Sequence, residues 1–538
     1  MAQSQPIERL EVPLAELKQA LARAREGPLA PDDYRKLDAA LDTLSQLTDL
    51  ITARDTTIRD LRQLLLAPST EKTRTVLENA GIEPTPPAPP KEKQARKPGH
   101  GRKAAGDYAG ARRVKISHPT LQASDLCPAC ERGKVYVQPE AKLVVRVVGQ
   151  APLAATVYEM ERLRCNLCGE IFTAPAPAEA ADETTKYDPT AVAMMATLHY
   201  GHGMPLNRLA ALEAQLGIPL AASTQWEEMA ARAEEKVPVH AELIRQAAQG
   251  EVLHNDDTSM RVLALQRQRQ QQAGDGERTG VFTSGIVSIE GGRRIALFFT
   301  GAQHAGENLA DVLKQRAADL APPIQMCDAL SWNVKRPADL PAELQRVIGH
   351  CLAHSRRRFV AVVENFPEAC QHVLEQLRIV YVNDAKTKEL GLSADQRLSF
   401  HQERSQPVME DLKQWLEAQF SEKRVEPNSG LGTAITYLLK YWTRFTLFLR
   451  QAGAPLDNNV CERAIKKAIL HRKNSLFYKT QNGADVGDLF MSLIHTCELN
   501  GANPFEYLTE LQRHAEESKR NPAAWMPWNY CEQVGLKP

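Results

Sequence analysis

The chain has 538 residues, with 66 basic and 66 acidic side chains and a formal net charge of zero. At about 100–200 residues per domain this length holds three or four domains; the balanced charge excludes a histone-like polycation but leaves room for a local basic patch. Hydrophobic residues make up 43%, and no stretch approaches the roughly 20 apolar residues of a membrane helix. The most apolar segment, 435–449, is broken by Lys440 and Arg444. The opening MAQSQPIERLEV lacks the basic-then-apolar pattern of a secretory signal, which points to the cytoplasm. Ten cysteines are too few for a disulfide scaffold.

Residues 34–66 read as one helix. Leu37, Leu44, Ile51, Ile58 and Leu65 recur every seven residues, with Ala40, Leu47, Arg54 and Leu61 as the companion row. That is a coiled-coil seam with one misfit, Arg54, within an N-terminal helical region, 1–80. The plainer alternative is an amphipathic helix packed on its own domain. A linker follows over 81–118. Five prolines between Pro84 and Pro90 force it to be extended, and Lys91–Lys115 then carries nine Lys/Arg against two acids. Lys97, Arg102 and Lys103 lie in its Gly-containing run KPGHGRK, a candidate DNA contact.

Cys127 and Cys130, then 34 residues, then Cys165 and Cys168 form two CxxC pairs. Each turn can present two thiolates, and two turns complete a tetrahedral Zn²⁺ site. KLVVRVV (142–148) and ATVYEMERLRC (155–165) between them read as strands, so 119–175 is a zinc-ribbon-like module with one inserted hairpin. Residues 186–248 read as helical, and 204–230 as a helix, a Gly217-Ile218-Pro219 turn and a second helix, an arrangement that can read DNA.

From Glu251 the pattern becomes α/β. Residues 251–265, 280–289 and 293–299 read as three strands, with the polar QRQRQQQAGDGER looping between the first two. A helix (305–320), a short strand ending in a carboxylate (323–331) and a strand running into a helix (349–366) follow. This is the element order of a ribonuclease H-like fold, in which the first and fourth strands lie side by side. Asp256 and Asp257 fall in the first strand and Asp328 ends the fourth; strand parity does not choose between Asp256 and Asp257, because both faces are mixed. Glu462, on a helix capped by Asn458 or Asn459, shares a side with Ile465 and Ile469 and is the candidate third acid. Carboxylates gathered at one point repel each other unless Mg²⁺ or Mn²⁺ neutralises them, and two such ions serve phosphodiester chemistry. The basic residues around Glu462, including Lys466, Arg472 and Lys473, fit a polyanion. So does a second cluster with Arg356 and Arg357. Cys351 and His354 stand in CxxH spacing, read as a buried strand cysteine in preference to a metal pair.

These motifs resemble those of the large transposases of IS66-type bacterial insertion sequences. HNDDTSMRVL (254–263), QMCDALSW (325–332), CLAHSRRRF (351–359), PLDNNVCERAIKKAILHRKNSLF (455–477), NGANPFEYL (500–508) and AAWMPWNY (523–530) carry the resemblance, which covers nearly the whole chain. It implies a DDE transposase that cuts element ends and joins the 3′-hydroxyl to target DNA. It assigns the first aspartate to Asp256, with Asp328 and Glu462 completing the triad. It also implies a catalytic core over 249–369 and 455–495, a helical insertion over 370–454, and a C-terminal tail domain over 496–538. Small accessory proteins from the same element and a place near the bacterial nucleoid follow, while the coiled-coil seam points to homodimers or higher oligomers. The rival readings are a non-catalytic zinc-containing regulator derived from a transposase, and a nuclease of the same fold.

Overall fold

The computed structural model describes residues 111–138, 143–147, 151–168, 170–177, 186–272, 280–334 and 346–535, with residues 19, 23, 30–34, 36–37 and 72–80 nearer the N-terminus. The heptad rows beyond Leu37, the Pro-rich linker and Lys97, Arg102 and Lys103 lie outside the described residues. The chain divides into two units, Met1–Pro84 and Thr85–Pro538. In the first, Thr73–Asn79 is a helix.

In the second unit the cysteine segment forms one small hairpin, β1 (Arg162–Arg164) with antiparallel β2 (Ile171–Thr173). It flanks the second CxxC turn instead of lying between the two pairs. Residues 143–147 form no strand, and 155–165 contributes only β1. The valine-rich run was not enough: among the described residues no strand pairs with it, and Val144 and Val147 are exposed.

Among the described residues of this unit three α-helices precede the sheet, Pro189–Ala196, Leu206–Gln215 and Ala222–Ala247, the first continued by a π-helical turn, Thr197–Gly201. Asp188 caps the first, accepting from the Thr190 N–H at 2.7 Å. A turn through Gly217, at φ +84°, joins the other two, a conformation glycine adopts without steric cost. The C-terminal helix Pro504–Arg513 packs on the first of the three. Tyr507, Trp525, Met526 and Tyr530 join Met195, Met229 and Leu243 in one core, so the tail closes over the helices that begin the unit.

The central sheet has five strands: β3 (Val252–Ser259), β4 (Phe282–Glu290), β5 (Arg293–Gly301), β6 (Ile324–Cys327) and β7 (Val347–His350). Their spatial order is β5-β4-β3-β6-β7. β3, β4 and β5 run antiparallel in sequence, while β6 lies parallel to β3 and β7 parallel to β6. The first strand ends sooner than its sequence suggests. Leu263–Gln272 is a helix, where strand and loop were expected, and its start is fixed by the Leu263 N–H on the Tyr478 carbonyl at 2.9 Å. Between β7 and residue 450 the chain is helical, with Leu352–Ala361, Pro367–Glu389, Ala394–Arg404, Gln406–Ser421 and Gly430–Lys440 as the main helices.

The free side of β5 is covered by the helix Gln481–Leu499. Asp488, Ser492 and Thr496 stand four residues apart on it, and Asn500 follows it. Asp488 accepts from the Thr300 N–H, Ser492 Oγ from Phe298 N–H at 3.0 Å, Thr496 Oγ1 from Ala296 N–H at 3.0 Å and Asn500 Oδ1 from Arg294 N–H at 3.2 Å. A helix advances about 6 Å in four residues and a strand about 6.8 Å in two. Polar side chains at every fourth position therefore meet every second amide. Burial pushes the Asp488 carboxyl up to about 8.

Candidate active site

Asp256 lies on β3, and Asp328 directly follows the neighbouring parallel strand β6. The β3–β6 ladder ends at His254 with Met326, each aspartate follows two residues later, and the charge of Asp328 acts on Asp256. Across the antiparallel pair Asp256 stands opposite Gly285. The helix Asn459–Ser475 crosses the sheet there: a Cβ on Gly285 would lie 2.9 Å from Ile465 Cδ1, and the Cys461 thiol donates to the Gly285 carbonyl at 3.2 Å. Asp256 thus faces the helix that carries Glu462.

Asp257 points the other way. Its Oδ2 meets His304 Nδ1 at 2.8 Å and accepts from the Ala305 N–H at 3.3 Å, at the start of the helix Ala305–Leu313. Its neighbour across the ladder, Ser284, accepts from Asn308 of that same helix. The sheet is covered on both faces, which is why both faces of β3 read as mixed in the sequence.

Burial, with the charges of Asp328, Asp257 and Glu462, pushes Asp256 up to about 7; the Asp257 N–H at 2.9 Å opposes the rise. Asp328 is buried, and its Oδ1 accepts from Asn333 Nδ2 and, at 3.2 Å, from the Leu330 N–H. Beneath the acids Gln325 donates to Asn255 Oδ1 at 2.8 Å and to the Asn333 carbonyl at 2.6 Å.

Glu462 lies in the first turn of Asn459–Ser475. Arg357 holds it in a fork, Nη2 to Oε2 at 2.7 Å and Nη1 to Oε1 at 3.1 Å. Burial works to raise the Glu462 carboxyl, but the Arg357 guanidinium outweighs it and the net shift is downward. Among the described residues Asp256, Asp328 and Glu462 do not come within 4.8 Å of one another as a group; Glu462 gathers instead with Cys351 and His354.

The profile described as "Transposase IS66 family" matches residues 184–486, more than half of the chain and all three acids. The chain belongs to the IS66 transposase family. It is 26% identical over 449 residues to the uncharacterized protein y4hP of Sinorhizobium fredii, covering 80% of this chain and 77% of that protein. Two further uncharacterized proteins of that organism are similar over shorter spans: y4jD, 34% identical over 35% of this chain and 37% of its own length, and y4qI, 28% identical over 34% and 33%. No solved structure matches the chain.

In this IS66-family chain the helix of Glu462 is tied to β3 by Asn458, a residue expected to cap that helix. Asn458 makes no side-chain cap. Its Nδ2 donates to the Asn255 carbonyl at 3.0 Å and its Oδ1 meets His254 Nδ1 at 2.9 Å. Asp457 takes the capping role, accepting from the Asn459 N–H at 3.1 Å. A sequence signal existed for the anchor: Asp457, just ahead of the Asn-Asn pair, can serve the helix start and leave an amide for another partner. No signal marked Gly285.

The basic candidates separate. Lys466 and Lys473 are exposed on the Glu462 helix. Arg472 turns inward to Thr258 Oγ1 at 3.0 Å and Ser259 Oγ at 2.8 Å, bracing the end of β3. Arg356 is buried and Arg357 is on Glu462, while Arg358 lies 3.8 Å over the Tyr437 ring. The RRR run is thus divided between core, site and insertion.

Each CxxC turn is formed. The Cys127 N–H donates to the Gly133 carbonyl at 2.7 Å and the Cys165 N–H to the Glu170 carbonyl at 2.9 Å. The Cys130 sulfur is held below its ordinary value by the Arg132 and Gly133 N–H groups and by the Cys127 thiol. The four sulfurs do not appear as a converged group among the described residues.

Proposed function

We propose that the chain is a DDE-type transposase whose ribonuclease H-like core uses Asp256, Asp328 and Glu462 to cut DNA at element ends and join the freed 3′-hydroxyl to target DNA. The observation that carries this reading is the register of β3 with β6: two residues beyond its last pair come Asp256, which faces the helix of Glu462, and Asp328. The strand order, with three antiparallel strands followed by two parallel to the first, supports the core assignment.

The donor set suits Mg²⁺ or Mn²⁺. Asp256 is a buried carboxyl whose ionisation is opposed by neighbouring acids, and a hard divalent ion with oxygen ligands relieves that opposition. Such ions would activate the attacking hydroxyl or water and stabilise the leaving oxygen. In this reading Asp256 and Asp328 form the fixed part of the site. Asn458 holds the third element against β3, and Glu462 completes the set by turning from Arg357 toward the aspartates. Lys466 and Lys473 face outward, where they suit a DNA backbone.

The cysteine segment suits a structural Zn²⁺ on Cys127, Cys130, Cys165 and Cys168. Its apolar side chains are exposed, Leu167 by 92% and Val157 by 83%, so hydrophobic burial supplies it little cohesion and metal would supply the rest. We assign pairing of two protomers to the heptad helix, and further DNA contacts to Lys97, Arg102 and Lys103.

The test is single-turnover cleavage and joining of a duplex carrying the element's own ends. Asp256→Ala, Asp328→Ala and Glu462→Ala should each abolish both steps, and Asp257→Asn should leave substantial activity. Normal cleavage by all three alanine variants would leave the regulator reading in place.

A further inference from the structure

We infer that Cys351, His354 and Glu462 form a second metal site, one that takes a thiophilic divalent ion such as Zn²⁺. Cys351 Sγ, His354 Nδ1 and Glu462 Oε1 all lie within 4.8 Å of one another. Oε1 is 3.6 Å from Nδ1 and 3.9 Å from Sγ. Zinc bond lengths of about 2.0–2.3 Å give ligand-to-ligand edges of roughly 3.3–3.6 Å, so small shifts close the set. Three protein ligands leave a fourth position for water. A sulfur in the set disfavours Mg²⁺ and Ca²⁺.

Two independent features suit the site to a metal. His354 Nδ1 is buried without a hydrogen-bond partner, and it points at the other two ligand atoms. Cys351 sits at the N-terminus of the helix Leu352–Ala361. Its sulfur receives the Asn458 N–H at 3.2 Å and a second backbone N–H, from His354. These donors favour the thiolate, but burial outweighs them and pushes the thiol up to about 12, so the ion itself must draw off the proton. CxxH spacing places the cysteine just ahead of the helix and the histidine in its first turn. The thiol proton leaves to solvent as the ion binds.

The ion's competitor is Arg357, whose fork occupies both oxygens of Glu462. A bound ion displaces Nη1 from Oε1 and leaves Nη2 on Oε2. The ion would pin the start of the Glu462 helix to the helix Leu352–Ala361 and decide which way Glu462 faces. The site shares Glu462 with the strand-transfer reading, but its ligand set is read from its own geometry.

The experiment uses the full chain with Cys127, Cys130, Cys165 and Cys168 replaced by serine, titrated with Co²⁺ in the absence of DNA. One bound equivalent with a thiolate-to-cobalt charge-transfer band is expected, lost in Cys351→Ser and in His354→Ala. Arg357→Gln keeps every ligand and should tighten Co²⁺ several-fold. Should the four-serine chain not fold, the same comparison is made as metal equivalents in the otherwise unaltered protein. Absence of the band, its survival in Cys351→Ser, or unchanged affinity in Arg357→Gln would overturn the assignment. No outcome depends on DNA cleavage, so failure here is distinct from failure of the proposed function.

Discussion

His254 and Asn458 meet at 2.9 Å across 204 residues of sequence, joining the strand of the first acid to the helix of the third. Asn458 Nδ2 is already committed to the Asn255 carbonyl, so Oδ1 is the acceptor and His254 Nδ1 carries the proton. Burial holds the imidazole down at about 4, so it is neutral near neutral pH and the tie does not titrate there. Asn458→Ala leaves two buried groups on β3 unpaired, at about 1–3 kcal/mol for such a loss. A melt should register that cost, and end cleavage should fall much further, because Glu462 loses its placement. Cleavage reduced only in proportion to folded fraction would make the tie merely structural.

Asp256 binds its proton up to about 7 in the fold, against an ordinary value of 3.8. Between those values the folded state holds more protons than the unfolded state, so stability falls as pH rises through the window. Asp256→Asn removes that dependence. The variant should match the parent in acid and exceed it above neutrality, by a few kcal/mol at most, in metal-free buffer. Parallel melting curves across the window would contradict the burial of that charge.

Gly285 is where the Glu462 helix comes close to β4. Gly285→Val drives a side chain into Ile465, and overpacking of this kind costs about 1–3 kcal/mol. Joining activity should drop with it. Ile465→Val removes the Cδ1 atom that lies 2.9 Å from the added Cβ and should restore part of the loss. If it restores none, the close approach is not what glycine serves there.

Replacing Cys127 and Cys168 together by serine should lower zinc by one equivalent per chain, read by elemental analysis. The segment from 111 to 177 should then become protease-sensitive while the sheet keeps its melting behaviour. Unchanged zinc in that variant would remove the CxxC assignment.

Ser492→Ala leaves the Phe298 amide without its acceptor, a loss of about 1–3 kcal/mol. Hydrogen exchange should show that amide losing protection while those of the β3–β4 ladder keep theirs.

The strands of the sheet were legible because their apolar runs are short and bounded by turn residues, as in Phe282–Glu290 and Arg293–Gly301. The acids were legible as candidates from their places in the element order: Asp256 and Asp257 within the first strand, Asp328 at the end of the fourth, and Glu462 on a later helix. Which of Asp256 and Asp257 faces the Glu462 helix was not legible from strand parity, since a sheet covered by Asn459–Ser475 on one face and Ala305–Leu313 on the other leaves no polar side to mark. The helix Leu263–Gln272 was hidden because QRQRQQQ carries no apolar period. The destination of Arg357 was hidden too, because one run of three arginines looks alike in sequence whether it faces solvent or a carboxylate.

The cover on β5 also sets a schedule for making the protein. Thr300 and Asp488 are 188 residues apart, and Ala296 and Thr496 are 200 apart. At about 5–20 residues per second of synthesis, the edge strand waits on the order of ten to forty seconds for its partner helix. A message broken between the codons for Glu462 and Asp488 yields a chain with every proposed catalytic acid and a bare strand edge, the kind of surface that recruits other strands. Such a fragment should aggregate more readily than the full chain, because the amides of Arg294, Ala296, Phe298 and Thr300 would lack the acceptors that Asn500, Thr496, Ser492 and Asp488 supply.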